Sequence, residues 1–219
     1  MSTGRILWGA GTSRTIRAHW ALHELGLSFE LRPILPRTGQ TKTTEFTALN
    51  ARQKIPLLQD NGLILTESAA IISYLSDAYA KPDNRLIPID PQPRARCLEW
   101  CFFVISELDA TSLYVMRRHG DLGHIYGDAP VANASAANYF QQQMRSVERA
   151  LHDDPRYILG DSFSAADILL STCLTWAVRY GVPVSDPVMA YNQRVTSRPA
   201  YARALNTNHP PADAGAPAR

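Results

Sequence analysis

The dipeptide Asn61-Gly62, with apolar runs directly on either side of it, constrains the fold of this chain more than any other stretch. Asn-Gly favours the left-handed backbone conformations of a two-residue hairpin turn. Apolar residues then recur at helical spacing after Glu67-Ser68, so these two residues precede a helix. The segment therefore predicts a strand, a tight turn, an antiparallel partner strand and a helix.

The two ends of this segment carry groups that suit the head of an amino acid. Pro56 opens the first strand and has no N–H, which leaves backbone groups of neighbours such as Ile55 free to pair with an extended peptide. The helix N-terminus presents unpaired N–H groups and a partial positive charge, which suit a carboxylate. Glu67 can hold an ammonium group beside it, and Ser68 alone would be read as a helix cap.

This ordered set resembles the glutathione site of the cytosolic glutathione transferases. In that family a Val/Ile-Pro with a cis peptide pairs with the cysteinyl backbone, and a Glu/Gln-Ser pair holds the γ-glutamyl head. The resemblance implies that Ile55 and Pro56 form the cis pair and contact the cysteinyl unit of glutathione. It implies that Glu67 and Ser68 hold the γ-glutamyl end and that Lys42 faces the glycyl carboxylate.

The first half of the chain alternates between strand and helix patterns. A strand–helix–strand unit of this length crosses over right-handedly, which predicts that its two strands are parallel. A dinucleotide fingerprint is excluded, because Arg14 stands where its third glycine would fall. The elements predicted in order are a strand at residues 5–8, a helix to Leu25, a strand at 29–32, a helix at 42–49 and the hairpin with its helix. The order βαβ-α-ββα predicts an α/β thioredoxin-like domain with a mixed four-stranded sheet.

The second half has a different character, because strand patterns vanish after a stretch rich in proline. Only helical periodicity follows, which predicts an all-α domain with a core of helix packed on helix. The predicted ranges are 1–81 for the thioredoxin-like, glutathione-binding domain, 82–93 for a linker, 94–205 for the all-helical domain and 206–219 for a disordered tail.

Two features of the helical half predict how it packs. Ser164 and Asp167 have the spacing of a capping box, in which each side chain bonds the backbone of the other, and this pair resembles a signature in the helical domain of the same family. Residues 94–119 form a helical segment that is apolar nearly all round. That surface is too wide for one neighbour, which predicts a two-fold homodimer.

The chemistry is predicted to lie in the loop after the first strand. A thiol with a pKa of about 8.5 is mostly protonated at neutral pH, so an enzyme that uses glutathione as a nucleophile must stabilise the thiolate. Members of the family that this chain resembles use Tyr, Ser or Cys at this place. The loop has hydroxyls but no Tyr and no Cys, so the resemblance implies a Ser/Thr-type transferase. The Ser-Arg-x-x-Arg-x-x-Trp pattern that begins at Ser13 resembles a bacterial and fungal subgroup and favours Ser13. Alignment of Gly26 with the serine-type classes points to Thr12 instead. Either hydroxyl could also simply cap the helix.

Composition excludes several other classes of function. The chain has 219 residues, of which 45% are hydrophobic and 19% charged, and these values predict a folded protein of one or two domains. A net charge of +2 without a basic stripe argues against nucleic acid. No run is long enough for a membrane span or a signal peptide, and three cysteines form no framework, which predicts a cytoplasmic protein. His19 and His23 lack a third ligand, so no metal is predicted.

The resemblance implies an enzyme with glutathione as co-substrate. Its thiolate would attack a small apolar electrophile or a peroxide, and the resemblance places the pocket for that second substrate around Tyr114 and Arg118. The alternative is a non-catalytic, transferase-like binding or scaffold protein, since fold alone does not fix function. The complete set of glutathione-binding residues favours the enzyme.

Overall fold

The protein divides into two compact units in the computed structural model, which describes residues 4–210. The first unit contains the chain up to Ile87 and again from Ser197, and the second unit is Pro88–Thr196. Within the described range no helix is long and apolar enough to span a membrane.

A four-stranded mixed sheet forms the centre of the first unit. Its strand order is β2-β1-β3-β4, with β1 and β2 parallel and the other two pairs antiparallel. The sequence predicted the mixed sheet, the parallel pairing of β1 and β2 and the antiparallel hairpin of β3 and β4. The hairpin between β3 and β4 turns at Asn61 and Gly62, whose φ angles are 50° and 86°. The strands are β1 (Arg5–Trp8), β2 (Glu30–Arg32), β3 (Leu57–Asp60) and β4 (Leu63–Thr66).

Helices surround the sheet and make up the second unit. Their bounds in chain order are α1 (Thr15–Glu24), α2 (Thr44–Leu49), α3 (Ser68–Tyr79), α4 (Pro91–Phe103), α5 (Tyr114–His119), α6 (Gly123–Tyr126), α7 (Pro130–Ala150), α8 (Ala165–Arg179), α9 (Asp186–Thr196) and α10 (Pro199–Asn208). The thioredoxin-like fold with a helical second half is confirmed. The helix predicted at 42–49 is interrupted, because Thr43 is extended and its hydroxyl accepts a hydrogen bond from Phe46 N.

The long helix predicted at residues 94–119 is not one regular α-helix. Residues Val104–Leu113, between α4 and α5, are π-helical. Hydroxyl groups bond to carbonyls five residues earlier, since Thr111 Oγ1 donates to Ser106 O and Ser112 Oγ to Glu107 O, both at 2.7 Å. A pattern of apolar residues does not distinguish this wider helix from an α-helix, so the sequence prediction missed it.

The capping box predicted at the start of α8 is confirmed. Ser164 donates to Asp167 Oδ2 from both its backbone N and its hydroxyl, each at 2.8 Å. The other carboxylate oxygen accepts from Ile158 N at 2.9 Å and from the hydroxyl of Tyr191 at 2.7 Å. Asp167 therefore links α8 to the chain before it and to α9. Three free thiols are buried in the same unit, at Cys97, Cys101 and Cys173.

The last helix of the described residues, α10, belongs to the first unit and not to the helical one. Arg198, just before it, makes two hydrogen bonds of 2.7 Å with Glu24 of α1, and Trp20 Nε1 donates to the same carboxylate at 2.9 Å. The sequence predicted a disordered tail from residue 206, and this was wrong for the first three residues, because α10 continues to Asn208. Residues 211–219 of that predicted tail lie outside the described residues.

Candidate functional site

The strand register brings the predicted site residues to one end of the sheet. Trp8, the last residue of β1, pairs with Leu57 at the start of β3, and Leu57 pairs with Thr66 at the end of β4. The loop after β1, the residues before β3 and the start of α3 therefore leave the sheet at the same end. Ser13, Ile55 and Glu67 follow or precede these strand ends.

Ile55 and Pro56 are joined by a cis peptide bond, as the sequence predicted. Ile55 is half-buried and packs with the cluster that contains Trp8 and Leu57. The loop before it is held by Asn50, which is 6% exposed. The Asn50 side chain accepts from Arg52 N at 3.1 Å and donates to Lys54 O at 2.9 Å. The sequence analysis missed Asn50. Its side chain hydrogen-bonds to the backbone two residues further on, which asparagine commonly does in turns.

Glu67 and Ser68 lie at the N-terminus of α3, as predicted. Glu67 has a φ of 69°, and α3 begins at Ser68. Ser68 is buried, and its hydroxyl forms no hydrogen bond to another residue in the described part of the chain. Glu67 Oε1 lies 3.1 Å from Arg52 Nη1, and the Arg52 guanidinium also contacts the hydroxyl of Thr66. Arg52 is a second residue that sequence reasoning missed.

Thr12 caps the first helix. Its hydroxyl accepts hydrogen bonds from Thr15 N at 3.0 Å and from Arg14 N at 3.3 Å. Thr15 reciprocates, because its hydroxyl accepts from Thr12 N at 3.0 Å. Thr12 and Thr15 thus form a capping box in which a threonine stands where Glu or Gln is usual.

Ser13 differs from its neighbour in one respect that matters for chemistry. Its side chain is half-buried and forms no hydrogen bond to any other residue between 4 and 210. The hydroxyl of Thr12 is already engaged in the helix cap, whereas that of Ser13 is available to a ligand. Both lie in the loop that leads into α1, where the partial positive charge of the helix favours an anion.

The remaining predicted site residues, Lys42, Tyr114 and Arg118, lie on short helical elements. Lys42 ends a 3₁₀ turn over Gln40–Lys42 and is exposed. Tyr114 and Arg118 lie on α5 of the second unit, where the guanidinium of Arg118 is 4.4 Å from the centre of the Tyr126 ring.

His19 and His23 are joined through α10. His19 Nδ1 and His23 Nε2 lie 2.9 Å and 3.2 Å from the hydroxyl of Thr207, and His19 Nε2 donates to Gly9 O at 3.0 Å. Burial lowers the pKa of His19 to about 4. The described residues contain no group of three or more His, Cys, Asp or Glu side chains that could hold a metal ion.

Two family models match the chain, one in each half. The model "Glutathione S-transferase, N-terminal domain" matches residues 4–77, and the model "Glutathione S-transferase, C-terminal domain" matches residues 129–206. These ranges contain the predicted glutathione site and the capping box of α8, respectively.

Curated proteins and solved structures agree with the family models. Glutathione S-transferase GstA of Escherichia coli O157:H7 is 29% identical over 88% of this chain and 92% of its own. Glutathione S-transferase theta-1 of Bos taurus is 30% identical over 77% of this chain and 72% of its own. A crystal structure of a glutathione transferase from Methylococcus capsulatus superposes with a TM-score of 0.77, 29% identity and coverage of 93% and 98%.

The fold and the site define the class of protein: a thioredoxin-like domain joined to an all-helical domain, with a site for glutathione. The chain belongs to the glutathione S-transferase family. It is a glutathione transferase.

Proposed function

We propose that this enzyme holds glutathione on Ile55, Glu67 and Ser68 and stabilises its thiolate with the hydroxyl of Ser13. The assignment to Ser13 rests on the difference between the hydroxyl groups of Thr12 and Ser13. The Thr12 hydroxyl accepts two backbone hydrogen bonds, whereas the Ser13 hydroxyl has no partner among the described residues. On this proposal the enzyme is a serine-type transferase, of the kind that the sequence pattern resembles in a bacterial and fungal subgroup.

The glutathione backbone would be bound by three elements at the same end of the sheet. The buried Ser68 and the first N–H groups of α3 suit the carboxylate of the γ-glutamyl head, and the Glu67 carboxylate suits its ammonium group. The backbone of Ile55 would pair with the cysteinyl unit. Lys42, exposed at the end of its 3₁₀ turn, would face the glycyl carboxylate.

The reaction needs a thiolate, and the loop before α1 can supply the stabilisation. The Ser13 O–H donates a hydrogen bond to the sulfur anion, and the helix N-terminus adds a favourable field. The sulfur then forms a bond to an electrophilic carbon, and the leaving group departs with the electron pair of the broken bond. The family resemblance places the pocket for an apolar electrophile around Tyr114 and Arg118.

We further propose a homodimer in the cytoplasm whose role is detoxification. On α4, Phe102 is 68% exposed, on the helical segment whose wide apolar surface predicts a dimer. A two-fold interface would cover it. Sedimentation at micromolar concentration tests this, and a single species of 24.3 kDa would contradict the dimer.

The activity itself is tested with the wild-type protein. Retention on immobilised glutathione together with turnover of a nitroaryl chloride is expected. Retention without turnover of several electrophiles and peroxides would favour the alternative, a transferase-like binding protein.

The role of Ser13 is tested by titrating the ultraviolet absorbance of bound glutathione in the wild type, Ser13→Ala and Thr12→Val. We expect the wild-type pKa of the bound thiol to lie about one to three units below that of free glutathione. Ser13→Ala should raise this pKa and lower turnover at neutral pH more than at high pH, with little change in glutathione affinity. A rise only in Thr12→Val would transfer the role to Thr12.

A further inference from the structure

Asn208, the last residue of α10, lies against the loop that carries Ser13 although it is far away in sequence. It is 1% exposed. Its side-chain Oδ1 lies 2.6 Å from the hydroxyl of Thr15 and its Nδ2 lies 3.3 Å from Thr12 O. Its backbone carbonyl accepts from Gly11 N at 2.7 Å. The loop is therefore held at its beginning and at its end by a single residue.

The orientation of the Asn208 amide follows from its partners. Thr12 O can only accept, so the amide nitrogen must face it, and the amide oxygen must face Thr15. Because that oxygen can only accept, the hydroxyl of Thr15 is the donor in the 2.6 Å contact. The alternative acceptor for the Thr15 proton, Thr12 O at 3.0 Å, already receives the amide of Asn208 and the N–H of Ile16.

The direction of the hydrogen bond from Thr15 to Asn208 also fixes where the proton of the Thr12 hydroxyl points. The hydroxyls of Thr12 and Thr15 are 3.0 Å apart, and since Thr15 gives its only proton to Asn208, Thr12 is the donor between them. A chain of hydrogen bonds then runs from Thr12 through Thr15 to Asn208. The proton of Thr12 points along this chain and is not available to a sulfur atom.

We propose that Asn208 is a positioning residue for the transferase reaction. It holds the backbone of residues 11–15 in place and turns the Thr12 hydroxyl away from the thiolate, so that Ser13 alone donates to the sulfur. The inference rests on the proposed role of Ser13. It explains why two adjacent hydroxyls in one loop have different functions.

The test compares Asn208→Ala, Asn208→Asp and the control Thr207→Val in the full chain. Thr207 is the neighbouring residue on α10, and it bonds His19 and His23 of α1 without contacting the loop. Asn208→Ala removes both side-chain contacts with the loop. Asn208→Asp keeps an acceptor for Thr15 but places a carboxylate oxygen against Thr12 O, where a donor is needed.

We measure the pKa of bound glutathione by ultraviolet titration, its affinity by calorimetry, and kcat with a nitroaryl chloride. Both Asn208 variants should raise the thiol pKa by about half a unit to one unit, which lowers kcat roughly threefold to tenfold at pH values well below that pKa and by less near it. The Asp variant should show the larger effect, because its charge opposes the thiolate. Glutathione affinity should change less than twofold, and Thr207→Val should keep the wild-type pKa.

The outcomes separate this inference from the role of Ser13. A wild type whose bound thiol has an ordinary pKa would refute the role of Ser13 and the inference with it. A lowered wild-type pKa that both Asn208 variants preserve would refute the inference alone. An equal loss of affinity and kcat in Thr207→Val and the Asn208 variants would show that α10 only supports the fold, and would also overturn it. If Asn208→Ala does not fold, Asn208→Asp decides.

Discussion

Gly9 lies so close to Ile55 that a methyl group on its Cα would come within 2.6 Å of the Ile55 Cβ. Gly9 also has a φ of 111°, which residues with a side chain rarely adopt. We predict that Gly9→Ala destabilises the fold by roughly 3 kcal/mol, through backbone strain and overpacking together. It should also weaken glutathione binding, because Ile55 would be displaced. Urea unfolding and calorimetry measure the two effects.

Gly26→Ala is the matched control for this substitution. Gly26 also has a positive φ, of 65°, but an added methyl group meets no atom of residues 4–210 within 4 Å. Only the backbone cost of about 1 kcal/mol is expected, with unchanged glutathione affinity. If the two variants are equally destabilised, the close approach of Gly9 and Ile55 does not constrain the site.

Binding of the γ-glutamyl head of glutathione is predicted to depend on Glu67 and Ser68. Glu67→Ala and Ser68→Ala should each weaken binding roughly tenfold to hundredfold, which corresponds to about 1.5–3 kcal/mol for a charge-assisted hydrogen bond. Glu45→Ala removes an exposed carboxylate from the first turn of α2 and should leave the affinity unchanged. Wild-type affinity in both site variants, measured by calorimetry, would contradict the assignment.

The stability of the protein is predicted to fall in weak acid because of His19. Burial, with smaller contributions from the nearby His23 and His209, lowers the pKa of this side chain from 6.5 to about 4. The folded state therefore binds the proton less readily than the unfolded state. The contribution of neutral His19 to the free energy of unfolding is therefore fully present above pH 6.5. It is lost as the pH falls from there towards 4, and the loss is about 2 kcal/mol at pH 5.

His19→Gln tests this, since glutamine does not titrate. The free energy of unfolding of the variant should depend less on pH between 7 and 5 than that of the wild type. The pKa of His23 is also lowered by burial, so part of the dependence should remain in the variant. An unchanged pH dependence in His19→Gln would place its origin elsewhere.

The capping box of α8 is predicted to be a major source of stability. Asp167→Ala would leave the buried donors of Ser164, Ile158 and Tyr191 without their acceptor. The expected loss in the free energy of unfolding is about 3 kcal/mol or more. Asp153→Ala, at a side chain that is 96% exposed, should change it by less than about 0.5 kcal/mol. Equal urea midpoints for the two variants would contradict this.

The features that could be predicted from the sequence are those with a local cause. The turn at Asn61-Gly62 is set by the conformational preferences of two adjacent residues, and the box of Ser164 and Asp167 by a spacing of three. The parallel pairing of β1 and β2 follows from the handedness of a short crossover. These local signals were sufficient to identify the fold, and the residues assigned to the glutathione site remain a prediction.

The features that were missed depend on contacts between distant residues. Tyr191 completes the environment of Asp167 from 24 positions away, and Arg52 reaches Glu67 across 15 positions. No periodicity in the sequence marks such pairs. The choice between Thr12 and Ser13 was open for the same reason, because it depends on which hydroxyl other parts of the chain engage.

The contact between Thr15 and Asn208 spans 193 positions, and this has a consequence for the order in which the protein is made. A ribosome adds about 5–20 residues each second, so roughly 10–40 s separate the synthesis of the two residues. The loop with Ser13 is translated well before Asn208, the residue that holds it. A nascent chain can form the sheet and α1 early, yet the loop receives its full set of hydrogen bonds only after α10 has been translated.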